Sequence, residues 1–339
     1  MASINIIGGN LPNIPWQEKP ANAHEPMWRH AQNPIIGWNP TKTSGRIFNS
    51  GVVPYGDGFT GIFRGDRTCI FPQLFFGTSK DAIHWDIEDD YIKWVDENGD
   101  AYQPRYAYDP RLLELDGVYY IIWCTDFSGP ALGLGRTTDF KTFTRLDNPF
   151  FPFNRNGVLF PRKINGNYVL LSRPSDNGHT PFGDIFVSES PDLVYWGKHR
   201  KVMSVSGNSW WQSTKIGAGP IPIETDKGWL LFYHGVVNTC NGFVYSFGAA
   251  LLDTDTPSKV LLRGDAPLIS PQMDYETVGF VPNVCFPCAA LSDAATGRIA
   301  VYYGAADSTI AVAYTTADEI YHWLLENNEL VDGDAKEWK

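Results

Sequence analysis

A turn built on glycine occurs five times along this chain, and each time it leads into an apolar strand. The copies are Asp57-Gly58-Phe59, Asp116-Gly117-Val118, Asn165-Gly166-Asn167, Lys227-Gly228-Trp229 and Thr296-Gly297-Arg298. A second apolar strand precedes each turn, and the copies recur at roughly 50 to 70 residues, the spacing expected of propeller blades. Five blades of about four strands would use residues 45 to 315 well. A β-sandwich of similar strand count competes, but a sandwich has no need of such repetition. The expected fold is all-β, a five-bladed β-propeller with an irregular N-terminal arm and a short C-terminal helix.

The boundaries follow from local composition. Residues 1–45 carry many prolines and little periodicity, so they read as an arm packing on the propeller or on a neighbouring subunit. Residues 46–331 form the propeller with its terminal helix, and 332–339 are a polar tail. Thr316-Ala317-Asp318-Glu319 has the Ser/Thr-x-x-Glu form of a helix start, and Ile320, Trp323, Leu324 and Asn327 follow at helical spacing. A further repeated element is a strand followed by a Ser/Thr-and-Asp turn and an aromatic residue: Ser79 to Trp85, Thr137 to Phe143 and Ser190 to Trp196. Such hydroxyls and carboxylates bond backbone N–H groups, so blade corners are the expected role.

Charge and cysteine content narrow the function classes. A net charge of -11 gives no general attraction for nucleic acid or anionic membranes, so neither is expected as a partner. Met1 to Trp16 lacks the basic flank and apolar stretch of a signal peptide. Five cysteines, an odd number lying mostly within apolar strands, read as reduced thiols of a cytoplasmic protein. Cys285 and Cys288 have the spacing of half a zinc site, but no second pair completes it, and neither a metal nor an organic cofactor is implied.

The polar residues then fall into a pattern. The glycine-led strands end at Arg64, Asp126, Arg173, His234 and Asp307. The strands before the turns open with Asn49-Ser50, Asp109-Pro110-Arg111, Arg155-Asn156, Lys215 and Asn283. In an antiparallel hairpin the start of one strand lies beside the end of its partner, so these groups should gather at one end of the blades and line one pocket. Arg155, Arg173 and Lys215 would be its cations, suited to phosphate or carboxylate oxygens; separate salt bridges are the plainer explanation for any one of them. Asp109, between two tyrosines and a proline, should be partly desolvated, which raises a carboxyl pKa towards the range of a general acid. An Asp-Pro turn stabiliser is its plainer role. Asp307 could hold sugar hydroxyls, Asp126 and Asp176 are further rim candidates, and Tyr108, His179, Trp210, Trp211, Tyr245 and Phe286 fall near the same end.

At these residues the sequence resembles glycoside hydrolase family 130, the β-mannoside phosphorylases. The specific stretches are Phe48 to Pro54, Tyr108 to Arg111, Phe153 to Lys163, Leu171 to Asp184, Thr214 to Pro222 and Val281 to Cys288. The resemblance implies a five-bladed propeller that cleaves β-mannosides with inorganic phosphate, inverts the anomeric carbon and releases α-mannose 1-phosphate. By the same resemblance Asp109 is the general acid, reaching the glycosidic oxygen through a hydroxyl of the mannosyl unit. Arg155, Arg173, Lys215, His234 and Tyr245 would bind phosphate. Asn49, Ser50, Arg64 and Asp307 would surround the mannosyl unit, Tyr108, Asp176, His179 and Phe286 the acceptor, and Asn156 would also bind substrate. The expected substrate is a β-1,4-mannooligosaccharide or β-1,4-mannosyl-N-acetylglucosamine, and relatives of this kind assemble as homo-oligomers. A β-1,2-mannobiose phosphorylase, a β-mannosidase and a non-catalytic sugar-binding propeller are the alternatives.

Overall fold

The computed structural model describes residues 3–67, 71–175 and 183–330. Five small, mainly antiparallel sheets follow one another along the chain and form the blades of a propeller. The first blade is Ser44–Tyr55, Gly58–Arg67, Pro72–Ser79 and Asp86–Tyr91, each strand pairing with the next. The second runs Ala107–Leu115, Val118–Asp126, Pro130–Thr137 and Phe143–Leu146, and two short preceding strands extend its outer edge. Asn154–Leu159, Tyr168–Pro174, Ile185–Ser190 and Gly197–Met203 make the third. The fourth is built on Lys215–Ala218, Gly228–Thr239, Gly242–Leu252 and Val260–Arg263. The fifth takes Cys285–Ser292, Arg298–Ala305 and Thr309–Thr316 from the end of the chain, and its outer strand Trp28–Arg29 from the beginning. That last pairing closes the ring, and it lies within the segment read from sequence as an arm.

Burial explains why the strands read as continuous apolar runs. Successive side chains point to opposite faces of a sheet, and in a propeller both faces meet a neighbouring blade. Ile121 accordingly packs with Ile62 and Leu74 of the first blade, while Ile122 packs with Leu159 and Leu170 of the third. Leu170 and Leu171 divide the same way between two seams. Five apolar clusters fill the five seams, the last joining Tyr302, Val312 and Tyr314 to Phe48, Phe63 and Phe75 across the closure.

The turns lie at the end of the blades away from the polar groups. Asp116-Gly117 and Asn165-Gly166 both have positive φ (55° and 79°, 51° and 83°), as a two-residue hairpin turn of matching twist requires. In the first blade the left-handed residue is Gly56, whereas Gly58 begins the strand, where a side chain would collide with the Ser79 carbonyl. The Ser/Thr-and-Asp turns are blade corners: Ser79 Oγ accepts from Ala82 N, and Asp81 Oδ1 accepts from Ile83 N and His84 N, with equivalent bonds at Thr137–Asp139 and Ser190–Asp192. Thr316 caps the helix Ala317–Glu326 by accepting from Glu319 N. Ahead of the first blade, Ile4 N and Leu11 N donate to Asp318 and Asp293, fastening the N-terminal segment across the fifth blade. No helix among the described residues is long and apolar enough to cross a membrane.

Candidate active site

A cavity of about 710 Å³ opens at the end of the blades opposite the turns. Its wall includes Asn49, Arg64, Tyr108, Asp109, Arg155, Asn156, Arg173, Lys215, His234, Tyr245, Phe286 and Asp307, contributed by all five blades. Three of them share one local device. The inner strands slip register at Asn49, at Asp109-Pro110 and at Asn156-Gly157, and Asn49, Asp109 and Asn156 take φ of 53°, 52° and 52°. A bulge turns a side chain out of the sheet's regular alternation, and Asn and Asp tolerate the left-handed backbone it needs.

The side of the cavity that holds Asp109 is a charge-paired cluster. Asn49 Nδ2 (2.7 Å) and Arg64 Nη1 (3.0 Å) both donate to Asp109 Oδ1. Arg64 also reaches Asp66 Oδ1, and Asp66 Oδ2 accepts from Arg46 Nη2 at 2.7 Å. Burial pulls the Arg64 guanidinium down, but Asp109, Asp66 and Asp307 outweigh it and raise it above the ordinary arginine value. Asp109, expected to be partly desolvated, is largely buried, and a guanidinium that sequence could not place lies against it. Burial is instead the dominant influence on Asp307, which is pushed up to about 6 although Arg64 pulls the other way.

The third and fourth blades supply further cations. Arg155 and Arg173 are direct cross-strand partners, and among the described residues neither makes an ion pair. Buried Arg173 is lowered below the ordinary guanidinium value by desolvation; Tyr245 opposes this and Arg155 adds to it. Like charges facing each other across a ladder cost energy unless an anion lies between them. Lys215 Nζ sits 4.7 Å from the Phe243 ring centroid and 5.2 Å from that of Tyr245. Arg173 Nη1 donates to His234 Nε2 at 3.1 Å, the only direction possible since guanidinium has no acceptor. Burial, then Arg173, Arg111 and Lys215, hold His234 well below its ordinary pKa, so the ring is neutral with its proton on the buried Nδ1. Gly217 leaves the space into which the His234 ring and the Asn156 carboxamide fit. Burial raises the Tyr245 hydroxyl to about 12, so it remains a donor.

Other expected residues fall elsewhere. Asp126 does not line the cavity; its Oδ1 accepts from Gly129 N in the turn that follows its strand. Ser50 is buried behind the wall, Trp211 packs against Gly235 and Gly248, and Trp210 is exposed away from the cavity. Asp176 and His179 lie outside the described residues. Tyr106, Phe243, Phe280, Val281 and Val284 also line the wall, although sequence reasoning did not select them. The signal for Phe243 was the length of the Gly228–Thr239 and Gly242–Leu252 hairpin, which overruns its blade; Phe280 sits in a loop with no periodic pattern. Cys124, Cys240, Cys285 and Cys288 are free thiols, and among the described residues no three His, Cys, Asp or Glu side chains gather as a metal site.

A five-bladed propeller whose blade-end cavity brings a carboxylate cluster and an arginine pair together has the groups to bind a polar, hydroxyl-rich ligand and an anion at one place. The chain belongs to glycoside hydrolase family 130: the family's model, described as β-1,4-mannooligosaccharide phosphorylase, matches residues 10–326. It is 52% identical to the β-1,4-mannooligosaccharide phosphorylase of Ruminococcus albus over 332 residues, 96% of this chain and 98% of that protein. A β-1,2-mannobiose phosphorylase of Listeria innocua is 34% identical over 73% of this chain and 67% of its own length. The solved structure of β-1,2-mannobiose phosphorylase from Listeria innocua with β-1,2-mannobiose superposes with a TM-score of 0.78 at 27% identity, covering 89% of this chain and 99% of that one.

Proposed function

We propose that this chain is an inverting phosphorylase that removes a β-1,4-linked mannosyl unit from a mannooligosaccharide with inorganic phosphate, giving α-mannose 1-phosphate. The observation that carries the reading is the facing pair Arg155 and Arg173, without an ion-pairing carboxylate among the described residues, in the same cavity as Asp109. An inverting hydrolase needs a second carboxylate to deprotonate water. Phosphate is already an anionic nucleophile, and a cationic cradle answers its charge and aims an oxygen at the anomeric carbon. The 52% identical relative supports the β-1,4 linkage.

The steps follow from the atoms present. Arg155, Arg173 and Lys215 hold phosphate, and the Tyr245 hydroxyl donates to it. His234 accepts from Arg173 and keeps that guanidinium turned to the cavity. A phosphate oxygen attacks C1 from the face opposite the leaving oxygen, the C1–O bond breaks, and configuration inverts. Both donors to Asp109 converge on Oδ1, so the transferable proton belongs on Oδ2. It passes to the leaving oxygen through a hydroxyl of the mannosyl unit, which is reprotonated by Asp109. Asn49, Arg64, Asn156 and Asp307 bind that mannosyl unit, with Ser50 supporting the strand behind. Tyr108 and Phe286 face the acceptor sugar.

The reading extends to a homo-oligomeric protein of the cytoplasm, a compartment that suits the four free thiols among the described residues. Incubating β-1,4-mannobiose with enzyme, with and without phosphate, tests the reaction. Mannose 1-phosphate should form only with phosphate, and equal release of free mannose in both tubes would reject phosphorolysis. A parallel arm with β-1,2-mannobiose tests the linkage.

A further inference from the structure

We propose that Arg111 is a positioning residue that sets where Asp109 points, by tying the backbone that carries the acid to the fourth blade. Ala107–Leu115 and Lys215–Ala218 are edge strands of the second and fourth blades, so their outward backbone groups have no neighbouring strand and need other partners. Arg111 supplies them. Its Nη1 donates to the carbonyls of Asp109 (3.2 Å) and Pro110 (3.1 Å), and its Nε donates to the carbonyl of Gly219. The second and fourth blades are not neighbours in the ring, so this contact crosses the middle of the propeller. The first two carbonyls belong to the bulge, where Asp109 and Pro110 have no register partner and Asp109 takes φ of 52°. The third follows directly on the strand that presents Lys215 to the cavity. That end is the fixed one, because Lys215–Ala218 is laddered to Gly228–Thr239 and Ile216 O also accepts from Arg173 Nη1. Releasing the clamp therefore moves Asp109 and leaves Lys215 in place.

Arg111 is set apart from the groups that meet the sugar. It is 1% exposed and lines neither the 710 Å³ cavity nor a second one of about 400 Å³, whose wall includes the next residues, Leu112 and Leu113. Its Nη2 has no hydrogen-bond partner among the described residues, and its guanidinium carbon lies 5.5 Å from the Phe286 ring centroid. Keeping a guanidinium from water with carbonyls as its hydrogen-bond acceptors is costly, and an apolar side chain would fill the space more cheaply. What an apolar side chain could not do is answer three carbonyls from two blades at once. Asn49 and Arg64 hold the Asp109 carboxylate by Oδ1, whereas Arg111 holds the peptide groups from which that side chain springs. The acid is thus fixed at both ends, and a planar fork is suited to the backbone end.

The test separates placement of the acid from a general loss of structure. Arg111→Met removes the clamp, and a displacement of Asp109 by about 1 Å should lower kcat on β-1,4-mannobiose about a hundredfold, with KM for phosphate within about threefold of wild type. Arg111→Lys can still answer part of the carbonyl set, so its loss should be smaller. The inference rests on the reading of Asp109 as the acid of phosphorolysis, and a second substrate isolates that step. The leaving group of a dinitrophenyl β-mannoside departs as a stable anion and needs no proton, so either variant should slow its phosphorolysis by less than about fivefold. A purely structural role would lower both rates alike. Defects of equal size on the two substrates, or mannobiose turnover by Arg111→Met within about threefold of wild type, would overturn the proposal. Thermal unfolding accompanies each variant, and loss of the folded state in both would show that Arg111 serves stability, which overturns it as well. If turnover proves independent of phosphate while the contrast between the substrates persists, the reaction assignment fails and the clamp stands.

Discussion

Replacing Gly304 by alanine tests how Asp109 is held in place. Gly304 pairs with Phe286 in the fifth blade, and a Cβ added there would lie far closer to Asn49 Oδ1 than van der Waals contact allows, with Asn49 N at 3.2 Å. The backbone at Gly304 is ordinary strand, so the methyl group brings no φ penalty of its own. The Asn49 carboxamide must therefore move, by more than about 1 Å to restore normal contact. Its 2.7 Å bond to Asp109 cannot survive that displacement, and neither can the contact Oδ1 receives from Cys288 Sγ. A hydrogen bond to a charged group is worth about 1.5–3 kcal/mol, which corresponds to a loss of roughly 10- to 150-fold in kcat/KM. Steady-state phosphorolysis of β-1,4-mannobiose measures it, alongside thermal unfolding to confirm the fold. An alanine variant within twofold of wild type would refute the idea that Asn49 positions the acid.

Asp109→Asn should abolish turnover while leaving sugar binding by calorimetry nearly intact. Arg155→Gln should raise KM for phosphate more than tenfold, yet leave the thermal midpoint of the phosphate-free protein unchanged or slightly higher, since it removes a like-charge neighbour worth about 0.2–1 kcal/mol. Phosphate at 100 times its Kd should stabilise the wild type by about 2.7 kcal/mol, and Arg155→Gln should lose that gain in the same melting assay. Because Asp307 is raised from an ordinary 3.8 to about 6, the stability it lends is complete below pH 3.8 and lost as pH rises through 6. Asp307→Asn should thus gain relative stability between pH 4 and pH 7.5, by at most about 3 kcal/mol in denaturant titrations, while losing activity. Glu276→Gln weakens the buried pair with Arg29 (2.7 Å) and strands a cation, so a loss of about 3–5 kcal/mol is expected by the same titrations.

The blades were legible in the sequence because each strand is buried on both faces and each hairpin turn requires a residue that accepts positive φ. The same hairpin logic brought Arg64, Arg155, Arg173, Lys215, His234 and Asp307 to one end, where the structure gathers them in one cavity. It misplaced Asp126 because a strand end says nothing about the turn beyond it, and Gly129 N takes up that carboxylate. Contacts between blades left no local trace. Arg64 lies 45 residues from Asp109 and Asn49 lies 60 residues away, so neither partner could be read from the neighbourhood of the acid. Ring closure by Trp28–Arg29 pairs residues at opposite ends of the chain, again without local periodicity.

One structural economy links the fold to the site. A propeller's inner strands alternate towards two seams, and a regular strand would bury its polar residues there. The bulges at Asn49, Asp109 and Asn156 break the alternation at the cavity end alone, after the apolar pairs have filled the seam. Each bulge depends on a residue that tolerates left-handed backbone and also carries a polar side chain, which glycine could not supply and a β-branched residue could not adopt. The residues that accept the turn of the chain are thus the same ones that carry the polar groups into the cavity. For this reason Asp109 and its holder Asn49 sit at matching positions of adjacent blades, close enough for a direct hydrogen bond and both turned into the one cavity.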